Sequence, residues 1–214
     1  MRLCLWIGLA CLSLSAVANP IEWQTYKQQD DIKVSYKKHE TGIIEINASV
    51  LVKNAKASDF MALLSDTDNA PNWLENVKSV TLMERLSPSE TLVYTHFNSP
   101  WPVLDRDLVS YSCYHALGEH KTELKIISQP YAKAEVSGVV RIKELRAYWR
   151  LDEQQSNLLV SHQAYADPGG SIPHWLSNKV SLKSVYKTLQ ALTEQLTNNQ
   201  FSRDNLISQL GSCS

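Results

Sequence analysis

The segment from Ile172 to Leu196 constrains the fold more than any other part of the chain. Apolar residues fall at Ile172, Trp175, Leu176, Leu182, Val185, Tyr186, Leu189, Leu192 and Leu196. That spacing is the period of an α-helix with one apolar face, and Lys179, Lys183, Lys187 and Glu194 take the other side. At 1.5 Å per residue the predicted helix is about 37 Å long, enough to cross a whole sheet. It follows Asp167-Pro168-Gly169-Gly170, where the chain must leave a strand and turn sharply. Glycine tolerates the positive φ such a turn needs. Asp167 or Ser171 can cap the helix start, and Pro173 suits its first turn. Two glycines at an element end also allow a hinge, so that the helix can act as a lid.

What precedes the helix is mostly extended. Ile32, Val34 and Tyr36, then Ile44, Ile46, Ala48, Val50 and Val52, alternate with other residues across a Thr41-Gly42 turn, which predicts a hairpin with one buried face. Further strands are predicted over 77–86, 91–97, 107–115, 122–128, 139–151 and 158–166, with turn signals about every ten residues. Ile21 to Gln29 reads as a short helix with Trp23 and Tyr26 on one side. Ser58-Asp59 reads as the N-cap of another that carries Phe60, Leu63 and Leu64, and a third short helix would hold Trp73 and Leu74. Helices segregated from a mostly antiparallel sheet make an α+β fold. A concave sheet wrapped around one long helix leaves space between the layers, the kind of cavity in which small apolar molecules bind.

The two ends of the chain read differently. Met1-Arg2, an uncharged apolar run from Leu3 to Val17 and the small-x-small site Ala16-Val17-Ala18 form a secretory signal pattern. The run is shorter than the roughly 20 residues a spanning helix needs, and Gly8 stands where lipoprotein processing at Cys11 would require Leu. Residues 1–18 are therefore expected to be removed, with 19–197 the folded domain and 198–214 a polar tail. Cys113 and Cys213 would remain. An exporting compartment permits a disulfide between them, and the alternative is a buried thiol plus a free one. No CxxC or Cys/His zinc spacing occurs, so neither a metal nor another cofactor is expected. The net charge of −1 supplies no basic stripe for nucleic acid, and a monomer is expected.

Three stretches resemble the START-domain (StAR-related lipid transfer) family. Asp167 to Asn178 is similar to the family's junction between last strand and lid helix. Trp101-Pro102-Val103-Leu104-Asp105-Arg106-Asp107-Leu108-Val109 is similar to its Pro-x-x-x-Arg-Asp strand entry. Trp73 and the strand end Tyr148-Trp149-Arg150-Leu151 also fit its pattern. The resemblance spans about residues 21–197. It implies a helix-grip fold, shared with Bet v 1-like proteins, with an internal cavity beneath the C-terminal helix. It also implies binding and transfer of one lipid or sterol-like molecule without chemistry. The signal pattern points to an exported version in a bacterial periplasm, with transient contact at a membrane surface.

The residues expected to line that cavity are Trp73, Tyr94, His96, Arg106, His115, Trp149, His162, Trp175, Leu182, Tyr186 and Leu189. Helix-face residues are core by default, and in a cavity fold some of them also touch ligand. Arg106, between Asp105 and Asp107, reads first as half of a structural ion pair and second as a headgroup anchor. His162, close before the last turn, is the best placed histidine to hydrogen-bond a ligand. Two other readings share the fold. A cyclase or hydrolase would need two or more of His96, His115, His162, Asp107 and Glu144 to converge in the pocket. A ligand-sensing module would carry an exposed apolar patch away from the cavity.

Overall fold

The computed structural model describes residues 22–198 and Cys213. The expected signal segment and nearly all of the tail lie outside the described residues. The elements in order are β1 (Gln24–Gln29), β2 (Ile32–Lys38), β3 (Ile44–Lys53), α1 (Ala57–Ser65), a 3-10 turn (Ala70–Asn72), β4 (Val77–Arg85), β5 (Glu90–Phe97), β6 (Asp105–Gly118), β7 (Lys121–Ser128), β8 (Val139–Arg141), β9 (Glu144–Gln154), β10 (Asn157–Asp167) and α2 (His174–Asn198). The strands form one sheet in the order β1-β2-β3-β10-β9-β7-β6-β5-β4, with β8 attached to β6. Every pairing is antiparallel except that of β8 with β6. The sheet curves around α2, which packs on β2, β3 and α1.

The alternation in β3 is what closes the core. Ile44, Ile46, Ala48, Val50 and Val52 are all buried on the face toward α2. Leu158 and Val160 of β10 and Trp149 and Leu151 of β9 continue that layer, and Phe60 and Leu63 of α1 seal one end. Leu182, Tyr186, Leu189, Leu192 and Leu196 fill it from the helix.

Four details differ from the sequence reading. Residues 24–29 form a strand, not a helix. Trp23 and Tyr26 are both largely exposed, so no core face exists for a helix there, while the open edge of β2 offers backbone partners. The residue that caps α1 is Lys56. Asp59 is its third helical residue, and its carboxylate accepts the Lys56 N–H at 2.8 Å, while Glu153 from β9 accepts the Ala57 N–H at 2.8 Å. The stretch 139–151 is two strands. β8 runs parallel to the start of β6, the Ile142 N–H bonds to the Asp107 carbonyl, and the chain then changes partner to β7 and β10. Finally, α2 starts at His174, and the carbonyl of Pro173 accepts its first N–H groups from Leu176 and Ser177. Asp167 accepts the Gly169 N–H at 2.9 Å instead, which fixes the turn. Gly169 and Gly170 both have positive φ, +64° and +69°.

Candidate functional site

Between α2 and the sheet lies a partly enclosed cavity of about 290 Å³. Its sheet wall is Ile44 and Ile46 of β3, Ala164 and Ala166 of β10, and Leu145 of β9. The small alanines create the space, since the pleat sends every second side chain of a strand to the same face. Its helix wall is Leu176, Val180 and Val185 with Ser177, Ser181 and Ser184. One end is closed by Phe97 at the end of β5 and by the segment after it, through Asn98, Ser99, Pro100 and Val103. The walls are thus mainly apolar with a few hydroxyl and amide groups, which suits an amphiphilic molecule.

Of the residues singled out in the sequence, Arg106 lines this cavity. It is 6% exposed. Its Nη1 donates to the Leu104 carbonyl and, at 3.4 Å, to Ser99 Oγ, while its Nε is buried with no hydrogen-bond partner. Burial pushes its pKa below the ordinary arginine value, against the nearby charge of Asp105. The expected ion pair with its neighbours in sequence does not form. Successive strand residues point to opposite faces, so Asp107 faces away from the cavity and meets Arg141 of β8. Arg141 Nε lies 2.7 Å from Asp107 Oδ1, and Nη2 lies 3.0 Å from Oδ2. Burial opposes ionisation of Asp107, but the hydrogen bonds and charge of Arg141 outweigh it and hold the carboxyl below its usual range. Arg141 Nη1 also donates to the carbonyls of Pro130 and Lys133. Asp105 accepts the Ser99 N–H at 3.0 Å and pairs with His96 Nε2 at 2.9 Å, which lowers its pKa.

The other ten named residues lie elsewhere. Trp73, Trp149, Leu182, Tyr186 and Leu189 are in the packed core. The helix presents that face to β2 and β3, and the cavity meets the adjoining serine-bearing flank. Trp149 stacks on His162 at 4.0 Å between centroids and meets Phe60 at 5.5 Å. His162 points to the same face as Ala164, one pleat away, but the stacking holds it in the interior. Its Nδ1 is buried without a partner. Burial lowers its pKa to about 4, against a backbone hydrogen bond at Tyr148 that raises it. His96 is held by Asp105. Tyr94 carries Lys133 over its ring at 5.2 Å; burial first, and the charge of Asp107 next, push its phenol up. His115 is on the outer face of β6, its Nδ1 3.1 Å from Cys213 Sγ. Cys213 is joined to Cys113 by a disulfide. Trp175 is 70% exposed on the first turn of α2. His96 and Asp107 are neighbours across β5 and β6, but the five candidates of the enzyme reading, His96, His115, His162, Asp107 and Glu144, do not meet in the cavity. None of the five lines the cavity, and Glu144 is exposed beside Arg146.

Sequence reasoning missed Ser177, Ser181 and Ser184, which recur at helical spacing on one flank, and the Ala164/Ala166 pair on one face of β10. Both signals were present as periodicities of small residues. Small side chains at such spacing leave no mark in a pattern read from apolar size.

A family model described as the START domain matches residues 11–201. Human phosphatidylcholine transfer protein is 25% identical over 201 residues, covering 90% of this chain and 92% of that protein. A solved structure of a STAR-related lipid transfer protein fragment from Xanthomonas axonopodis superposes with a TM-score of 0.76 at 29% identity, over 82% of this chain and 99% of that one. Human STARD10 superposes with a TM-score of 0.71 at 18% identity, over 82% of this chain and 73% of that one.

Proposed function

The chain belongs to the START domain family, and on that premise we propose that it is an exported carrier that holds one lipid or sterol-like molecule between α2 and the sheet. The observation that carries this reading is the cavity itself, about 290 Å³ with chiefly apolar walls beside the packed core. Burying about 200–300 Å² of a ligand's apolar surface there is worth roughly 5–7.5 kcal/mol before association costs. The ligand would touch Ile44, Ala164 and Val185 and meet Arg106 at its polar end.

Exchange with a membrane is supported by the rim. Trp101 is 93% exposed between the lining residues Pro100 and Val103, and Trp175 precedes the lining residue Leu176. Leu104, also exposed, extends the first group. Exposed Trp suits a water–lipid boundary. The Gly169-Gly170 hinge supports opening of the helix's first turn. Export to a bacterial periplasm is supported by the signal pattern of residues 1–18 and by the Cys113–Cys213 disulfide, which an oxidising compartment favours.

Lipid extraction and native mass spectrometry of the purified full chain test the proposal. A co-purifying lipid at up to one per chain is expected. Protein that carries none, and takes up none from vesicles of phospholipid with or without sterol, would overturn it. The cyclase or hydrolase reading is not favoured, because none of its candidate residues lines the cavity.

A further inference from the structure

We infer that the molecule bound in the cavity is an anionic amphiphile, whose carboxylate or phosphate group is received by Arg106. The inference rests on the lipid-binding reading above and narrows its ligand class.

Arg106 is a buried cation that makes no ion pair among the described residues, although the charge of Asp105 reaches it from farther off. The guanidinium remains charged at any physiological pH, and a buried charge left unpaired is strongly unfavourable. Among the described residues no carboxylate lies within ion-pair distance of it. Each acid that could have served is engaged elsewhere. Asp105 is taken by His96 and the Ser99 N–H, with Lys78 at 3.9 Å. Asp107 is taken in two-point fashion by Arg141 on the opposite face. Glu75, also at the cavity wall, pairs with Lys187 at 2.8 Å.

The geometry leaves the guanidinium open toward the cavity. Its Nη1 is used by the Leu104 carbonyl and Ser99, and its Nε has no partner. On the Nη2 side stands Gly170, where a Cβ would come within 3.7 Å. An arginine fork matches the two oxygens of a carboxylate or phosphate, so a bound anion would supply the missing charge and satisfy the idle donor together.

The test uses full-chain protein stripped of lipid, with three probes of similar chain length: palmitate, lysophosphatidate and hexadecanol. Binding is read by native mass spectrometry and by the shift in melting temperature. The expected result is that palmitate, lysophosphatidate or both bind at least ten-fold more tightly than hexadecanol. Which of the two wins distinguishes a carboxylate from a phosphate headgroup. Arg106→Gln should collapse the preference to less than about three-fold, and Arg106→Lys should keep part of it. Stripped Arg106→Met should melt no lower than stripped wild type, because it loses an uncompensated charge. Equal binding of acid and alcohol, or a preference that survives Arg106→Gln, overturns the anionic assignment and leaves the lipid-binding reading intact. Failure of all three probes, and of phospholipid and sterol vesicles, removes the lipid-binding reading itself. A large drop in the melting temperature of stripped Arg106→Met would show that the arginine is a structural element, and would also overturn the assignment.

Discussion

At the scale of single residues, burial and pairing of charges decide what each titratable group does. His162 is neutral in the fold because its surroundings lower its pKa from 6.5 to about 4. A depressed histidine pKa means that the unfolded chain takes up the proton first as pH falls. Its contribution to stability is therefore complete above about pH 6.5, is lost as pH falls toward 4, and is level below that. Between pH 7 and 4.5 this amounts to about 2.5 kcal/mol at most. His162→Phe, which keeps an aromatic ring against Trp149, should lose correspondingly less stability over that interval than wild type, as read by urea denaturation at both pH values. Equal losses would show that another group dominates. The Asp107–Arg141 pair is a second case. Asp107→Asn strands a cation on a fully buried arginine side chain and should cost about 3–5 kcal/mol. Adding Arg141→Met should recover part of that cost, and a strictly additive double variant would argue against coupling. The motif Asp105-Arg106-Asp107 was legible as a concentration of charge at a strand entry. Its pairing was not, because the partner of Asp107 comes from β8, which is brought alongside only by a parallel pairing that leaves no mark in the local pattern.

At the scale of elements, α2 was legible and its two working faces were not. Its length and period followed directly from the leucines, which need a sheet to bury them. The flank that meets the cavity carries Ser177, Ser181 and Ser184, and serines at helical spacing look like an exposed face until a second layer is known to stand opposite. On the sheet side the same holds for Ala164 and Ala166, whose small size matters only because α2 bridges over them. Ala164→Leu should fill part of the space. Lipid uptake should fall ten-fold or more, with the stability of lipid-free protein changed by less than about 1.5 kcal/mol in either direction. Undiminished uptake would place the ligand elsewhere. The turn before α2 was read correctly as a glycine-dependent backbone feature. Gly169 holds positive φ, and a Cβ there would stand 3.3 Å from Val140 Cγ1. Gly169→Ala should therefore cost about 1–2 kcal/mol, measurable as a lowered urea midpoint. A neutral effect would mean that the turn relaxes into an ordinary conformation without loss.

At the scale of the whole molecule, the antiparallel α+β plan was readable because long-range order and local pattern agree over most of the strands. The N-terminal strand is one exception, beside the split of 139–151: β1 gains its place from the free edge of β2, a partner that its own sequence does not name. The rim is also a property of the whole molecule, since Trp101 and Trp175 come from segments far apart in sequence. Each Trp can bury about 150–250 Å² on entering a lipid interface. At roughly 25 cal/mol per Å², two of them partly inserted supply several kcal/mol of attachment, enough for reversible contact. Under the proposed function, lipid binding depends on the cavity walls, whereas the rate of exchange depends on how long the rim stays at the membrane. The double variant Trp101→Ala/Trp175→Ala should therefore retain its lipid content and its melting temperature, because both side chains are exposed. Transfer between donor and acceptor vesicles should slow by ten-fold or more, and the slowing should follow reduced attachment in vesicle sedimentation. Transfer at the wild-type rate, with attachment lost, would show that the ligand exchanges through water and that the rim has another use.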